Sequence, residues 1–154
     1  MMAQPVTRIA VADDIPSLLD LYWHLNPDDE RPTVEAACQA LALMHHYPGS
    51  GVLLAELDGE PVSSCTLIVI PNLMRAARPY GLIENVVTHA GFRNRGFGKQ
   101  VLQAAVERAF AANCYKVMLM TGSQKPQVLK FYEAAGFEQT KTGFQIRSLP
   151  VRKE

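Results

Sequence analysis

Apolar residues in this chain switch between a spacing near two and a spacing near 3.6, and the switches predict the order of elements. "VTRIAV" reads as a short strand. Asp13 or Asp14 then caps a helix with Ile15, Leu18, Leu19 and Tyr22 on one face, and Pro16 falls in its first turn, where proline is tolerated. After the polar stretch "NPDDERPT", Thr33 caps a second helix over residues 34 to 46. "GVLLAEL" and "PVSSCTLIVI" flank Asp58-Gly59 and predict a hairpin. A loop containing Arg75, Arg78 and Pro79 leads into "YGLIENVVTH", apolar on both faces and so read as a central strand. Gly96 and Gly98 open a helix over 97 to 112 with Val101, Leu102, Ala105, Val106 and Ala109 in one stripe. "CYKVMLMT" reads as another buried strand, "PQVLKFYEAAGF" as a helix stopped by Gly136, and "GFQIRSL" as a last strand. Strands with interleaved helices predict a single α/β (α+β) domain over residues 1–154, a sheet flanked by helices.

Composition narrows the partners. Fifteen basic and fifteen acidic residues cancel, which argues against nucleic acid as a partner. With 48% hydrophobic and 19% charged residues, the chain reads as a folded soluble protein rather than a disordered one. No apolar run approaches the ~20 residues needed to cross a bilayer, and the first residues lack the pattern of a secretory signal, so no membrane partner is expected and a cytoplasmic location is. Cys38, Cys65 and Cys114 are odd in number and widely spaced, as reduced thiols would be. His45 and His46 would project in different directions from a helix, and His24 and His89 stand alone in sequence, so no metal is expected.

Chemistry concentrates in "RNRGFGKQ". A strand passing through a glycine turn into a helix gathers unpaired backbone N–H groups at the positive end of the helix dipole, a geometry that binds phosphate. Gly96 and Gly98 let an anion approach the backbone, and Arg93, Arg95 and Lys99 add charged donors around it. Lys99 is followed by Gln100, so the segment is not a P-loop, and the three-glycine dinucleotide pattern is incomplete. Arg93-x-x-Gly96-x-Gly98 resembles the Q/R-x-x-G-x-G/A motif of the GCN5-related N-acetyltransferase (GNAT) family, in which it binds the pyrophosphate of acetyl-coenzyme A. "RIAVADDIPSLLDLY", "LIENVVTHAGF" and "VLKFYEAAGF" extend that resemblance over nearly the whole chain.

The resemblance implies a mixed sheet of about six to seven strands flanked by about four helices, splayed between its fourth and fifth strands. It implies acetyl-coenzyme A (coenzyme A) as cosubstrate, bound by Arg93, Asn94, Arg95, Gly96, Phe97, Gly98 and Lys99 at the pyrophosphate and by Val86, Val87 and Thr88 along the pantetheine arm. It also implies an oxyanion met by a backbone N–H near Val87, and Tyr132 as the acid that protonates the departing thiolate; the other reading of Tyr132 is a packing aromatic beside Phe131. Glu84, in an otherwise apolar strand, is a candidate base whose pKa burial would raise; alternatively it makes a structural hydrogen bond or faces an open cleft. Cys114 reads as core, not as a nucleophile. Arg75 and Arg78 either are solvated or meet an anionic substrate.

Within the family, "GLIENVVTHAGFRNRGFGKQVL", "CYKVML" and the closing "FQIR" are similar to eukaryotic-type glucosamine 6-phosphate N-acetyltransferases. That similarity implies a primary amine acceptor of the amino sugar phosphate class, with Arg147 at its phosphate, and a homodimer that exchanges the last strand. Asn85 replaces the acid those enzymes often carry, Met120 replaces another, and "TGSQKPQ" is longer than their turn. The alternative function is a coenzyme A-binding sensor on the same fold, without turnover.

Overall fold

The computed structural model describes residues 4–150. In chain order the elements are β1 (Val6–Ile9), α1 (Ile15–Tyr22), α2 (Val34–Met44), β2 (Gly51–Leu57), β3 (Glu60–Ile70), α3 (Met74–Ala77), β4 (Tyr80–Thr88), α4 (Phe97–Ala111), β5 (Val117–Leu119) and α5 (Pro126–Ala134). The chain divides into two compact units between Leu119 and Met120.

The first unit holds one sheet ordered β1-β2-β3-β4-β5, antiparallel except for the parallel pair β4 and β5. Local signals build it. Thr33 Oγ1 accepts from Ala36 N–H at the start of α2, as a cap should. Asp58 and Gly59 turn β2 into β3 with φ of 52° and 82°, the left-handed pair that matches strand twist. One sheet face is covered by α1 and α2: Leu18, Leu19, Leu41, Val52, Leu54 and Val87 are buried in one cluster. The other face meets α4, whose Val101, Leu102, Ala105 and Ala109 are buried. Each such leucine contributes about 1.5–3 kcal/mol on leaving water.

The strand and helix counts need correction: among the described residues the sheet has five strands and there are five α-helices. The strand expected over 114–121 shrinks to Val117–Leu119, because Cys114 N–H is spent on Ala109 O at the end of α4 and Tyr115 N–H on Pro79 O. "GFQIRSL" carries no strand; Phe144 is 93% and Ile146 100% exposed, so its alternating apolar side chains have no face to cover. The additional helical element, Met74–Ala77, is a single turn with left-handed backbone at Arg75 and Ala76.

The second unit holds α5 and the segment after it. Pro126 stands in the first turn of α5, and Gly136 follows its end at φ 98°, the left-handed stop that the sequence announces.

Candidate active site

The path from β4 into α4 is short and closely braced. His89 starts a single turn, Ala90–Phe92, and its Nδ1 accepts from Gly91 N–H at 2.9 Å. Arg93 donates from Nε to Thr88 O and from its terminal nitrogen to His24 O, at 3.3 and 3.1 Å. Asn94 and Gly96 are left-handed, at φ 61° and 84°. Phe97 is buried with Ala55 and Val62, Phe92 packs beside them, and the Arg95 guanidinium lies over both phenyl rings at 5.2 and 5.3 Å. Two of the three cations expected around an anion are thus held by local contacts, and Lys99 is exposed on the first turn of α4.

No side chain caps α4, so its first N–H groups, which have no intrahelical partner, stay available at the positive end of a fifteen-residue helix. A Cβ added at Gly96 would meet nothing within 4 Å, so the space over the turn is open. Backbone donors, the helix dipole and exposed Lys99 suit a phosphate anion.

Upstream, β4 is interrupted. Glu84 pairs with Thr66 and Val87 with Ser64, so Asn85 and Val86 together face Cys65 alone. This is a β-bulge, and Asn85 supplies its left-handed residue at φ 54°. The ladder to β5 covers only Gly81 to Ile83, so among the described residues Glu84, Val87 and Thr88 have ladder partners in β3 alone. Ser63 Oγ donates to Val87 O at 2.9 Å and lies 2.9 Å from Thr88 Oγ1, which fixes the end of the strand.

Glu84 is exposed, which corrects the expected burial. Its side chain points to the sheet face covered by α1, where its partner Thr66 is buried beside the Tyr22 phenol. Burial pushes the Tyr22 pKa up, and the nearby Thr66 and Ser64 hydroxyls pull it back in part. Sequence reading placed Tyr22 on an apolar stripe and missed its polar end; the signal was "SSCT" in the facing strand.

Other candidates lie apart. Arg75 and Arg78 sit beside Tyr80, where β4 begins, and Thr88 is about 26 Å of strand away at ~3.3 Å per residue. The structure does not bring them to the glycine loop. A cavity of about 570 Å³ lined by Pro48, Val69, Pro71 and Arg108 also lies at that end, separated from the loop by the length of α4. In the second unit Tyr132 is half-buried between the rings of Phe131 and Phe137, at 5.1 and 6.5 Å. Exposed Arg147 donates to Leu149 O and Pro150 O. Cys114 is buried and its thiol pKa is raised by that burial, consistent with core rather than nucleophile. His24 and His89, isolated in sequence, stack with ring centroids 3.9 Å apart; sixty-odd residues between them hid the pair.

The chain is similar to known proteins over most of its length. Residues 15–137 match the model of the acetyltransferase (GNAT) family. The glucosamine 6-phosphate N-acetyltransferase of Trypanosoma brucei brucei is 32% identical over 132 residues, covering 84% of this chain and 86% of its own. A solved structure from Agrobacterium tumefaciens str. C58, assigned to the acetyltransferases, is 51% identical with a TM-score of 0.86, over 93% of this chain and 99% of that one. A Trypanosoma brucei acetyltransferase structure is 28% identical with a TM-score of 0.78, over 93% and 99%. With a family model spanning most of its length and an uncapped glycine turn behind a bulged strand, the chain belongs to the GNAT family and is an acetyl-coenzyme A-dependent N-acetyltransferase.

Proposed function

We propose that the acceptor is a small primary amine of the amino sugar phosphate class, with glucosamine 6-phosphate as the first candidate. The observation that carries this reading is the relative from Trypanosoma brucei brucei, whose likeness extends over most of both chains. In the proposal, the edge of β4 at residues Val86, Val87 and Thr88 binds the pantetheine arm. Residues 93–99 bind the pyrophosphate, and exposed Arg147 is the contact for the sugar phosphate.

Acetyl-coenzyme A supplies an activated thioester carbonyl. The amine nitrogen bonds to that carbon, the C–S bond breaks, the amine loses a proton and the thiolate gains one. An amine of pKa ~10 is protonated at neutral pH, so a base is required. Glu84 serves as that base through water, since its carboxylate is solvent-exposed at the interrupted ladder. An N–H of the bulged segment near Val87 faces the oxyanion. Tyr132 delivers the proton to sulfur or hydrogen-bonds it. A homodimer formed through the closing segment would cover Phe144 and Ile146; light scattering of a monomer would end that part of the reading.

Thiol release across amino sugars, their phosphates, aminoglycosides, polyamines and lysine peptides tests the acceptor. Glucosamine 6-phosphate is expected to exceed the other classes in kcat/KM by about a hundredfold, the discrimination that dedicated polar contacts give. Preference for another class would overturn the assignment. Glu84→Gln and Tyr132→Phe should each lower kcat by about a hundredfold with coenzyme A affinity unchanged; unaltered turnover removes the residue from the mechanism.

A further inference from the structure

Three contacts join the end of α1 to the entrance of the glycine loop across more than sixty residues. Ala90 N–H donates to His24 Nδ1 at 3.2 Å, Arg93 donates to His24 O at 3.1 Å, and the His24 and His89 rings stack at 3.9 Å with planes 41° apart. His24 is itself fixed: its N–H donates to Leu21 O, and Trp23 meets its ring edge-on. Both imidazoles accept a backbone N–H at Nδ1, His24 from Ala90 and His89 from Gly91. Each Nδ1 therefore acts as an acceptor, which places the proton of a neutral imidazole on Nε2. A second proton has to enter at Nδ1, where it removes an acceptor.

We propose that His24, His89 and Arg93 form a positioning latch that holds the cofactor loop against the end of α1, and that acid opens it, so that coenzyme A affinity falls with pH while the transfer step is spared. This rests on the reading of residues 93–99 as the pyrophosphate loop. The groups facing His24 are His89 and Arg93, both from the loop side; those facing His89 are His24, across from it, and the ring of Phe92, with Arg95 on Phe92's surface. Burial first, then His89 and Arg93, lower the His24 pKa from its ordinary 6.5. The closed latch thus binds fewer protons than the open one. Closure is fully favoured above pH 6.5 and weakens as pH falls through that value toward the closed-state pKa. Arg93 also clasps Thr88 O, the last carbonyl of β4, so release frees the loop at its root and costs preorganisation.

Calorimetric titration of coenzyme A from pH 8 to 5.5 tests the proposal on the parent and on His24→Asn. Asparagine offers an oxygen to Ala90 N–H and does not titrate. The parent should lose about fivefold or more additional affinity over this range compared with His24→Asn, the low end of ordinary site-to-site couplings. The cofactor's own phosphate titration cancels in the ratio. At saturating acetyl-coenzyme A the two should share one kcat–pH profile. His24→Ala should bind weakly and without that extra acid dependence. Parallel affinity curves for parent and His24→Asn would overturn the latch, and His24→Ala, which also does not titrate, gives the same comparison of slopes should His24→Asn not fold. Failure of the underlying loop reading has a different signature: Lys99→Glu would leave affinity at pH 7.5 unchanged.

Discussion

Strand β4 has a left-handed turn at each end, and the two are built differently. At its exit, left-handed backbone falls on Asn94 and Gly96, residue types that adopt it at little cost. That turn is clasped by His24, Arg93, Phe92 and Phe97. At its entrance, left-handed backbone falls on Arg75, Ala76 and Ala77, at φ 57°, 57° and 59°, with Leu73 97% and Met74 73% exposed beside them. There Arg78 N–H donates to Arg75 O and Asn72 Nδ2 to Met74 O. A Cβ in this conformation costs roughly 1–2 kcal/mol per residue. One end uses residues suited to its shape and fastens them; the other tolerates strain at the surface. The contrast identifies the end where a fixed geometry has a use.

Charge reversal breaks the comparison most sharply. Lys99→Glu should weaken coenzyme A binding by about tenfold or more, the value of one charge-assisted contact. A glutamate in the first helical turn suits the dipole, so the same variant should not lower thermal stability. Arg78→Glu lies more than two screening lengths (~8 Å each) away and should leave that affinity nearly unchanged. An equal loss in both would show that net charge, not the loop, is what the cofactor senses. Exchanging residue types tests the backbone next. Gly96→Ala should cost about 1 kcal/mol, whereas Ala76→Gly should be neutral or stabilise by up to about 0.5 kcal/mol, because relief of strain offsets the lost chain restriction. Destabilisation by Ala76→Gly would mean that its neighbours enforce that turn. The smallest expected effect separates two acid-dependent contacts. Near the end of β1, the Arg8 guanidinium holds Asp14 below its usual 3.8, through paired contacts of 2.7 and 2.8 Å. A carboxylate with a depressed folded pKa stabilises above 3.8 and loses that contribution as pH falls through the folded value. Asp14→Asn should therefore reduce stability at pH 7 and flatten the acid limb of a melting curve below pH 4, well apart from the latch at pH 6.5.

Much of the fold was legible because local signals agreed. Thr33, Asp58-Gly59, Pro126 and Gly136 each act within a few residues of themselves, and every element they mark is present. The glycine turn was legible for the same reason. What failed depends on partners. "GFQIRSL" alternates as a strand does, but alternation without a neighbouring edge leaves Phe144 and Ile146 in solvent. Glu84 looked buried because Leu82, Ile83, Val86 and Val87 around it are apolar, but the ladder to β5 stops at Ile83 and Glu84 is exposed beyond it. The pairing of His24 with His89, and of Tyr22 with Thr66 and Ser64, depends on a chain reversal that no local spacing encodes.

The bulge at Asn85 also sets a phase. Ile83 and Val87 are four residues apart, and in a regular strand they would share a face; here Ile83 is opposite Leu67 toward α4, while Val87 joins the cluster beneath α1. Everything downstream inherits that half-turn, including the direction in which the glycine loop leaves the sheet. Removing the single residue Asn85 would keep every other side chain in the chain, yet present the loop to the opposite side. The site is thus addressed by counting residues along β4, and its orientation is a parity written into the length of one strand.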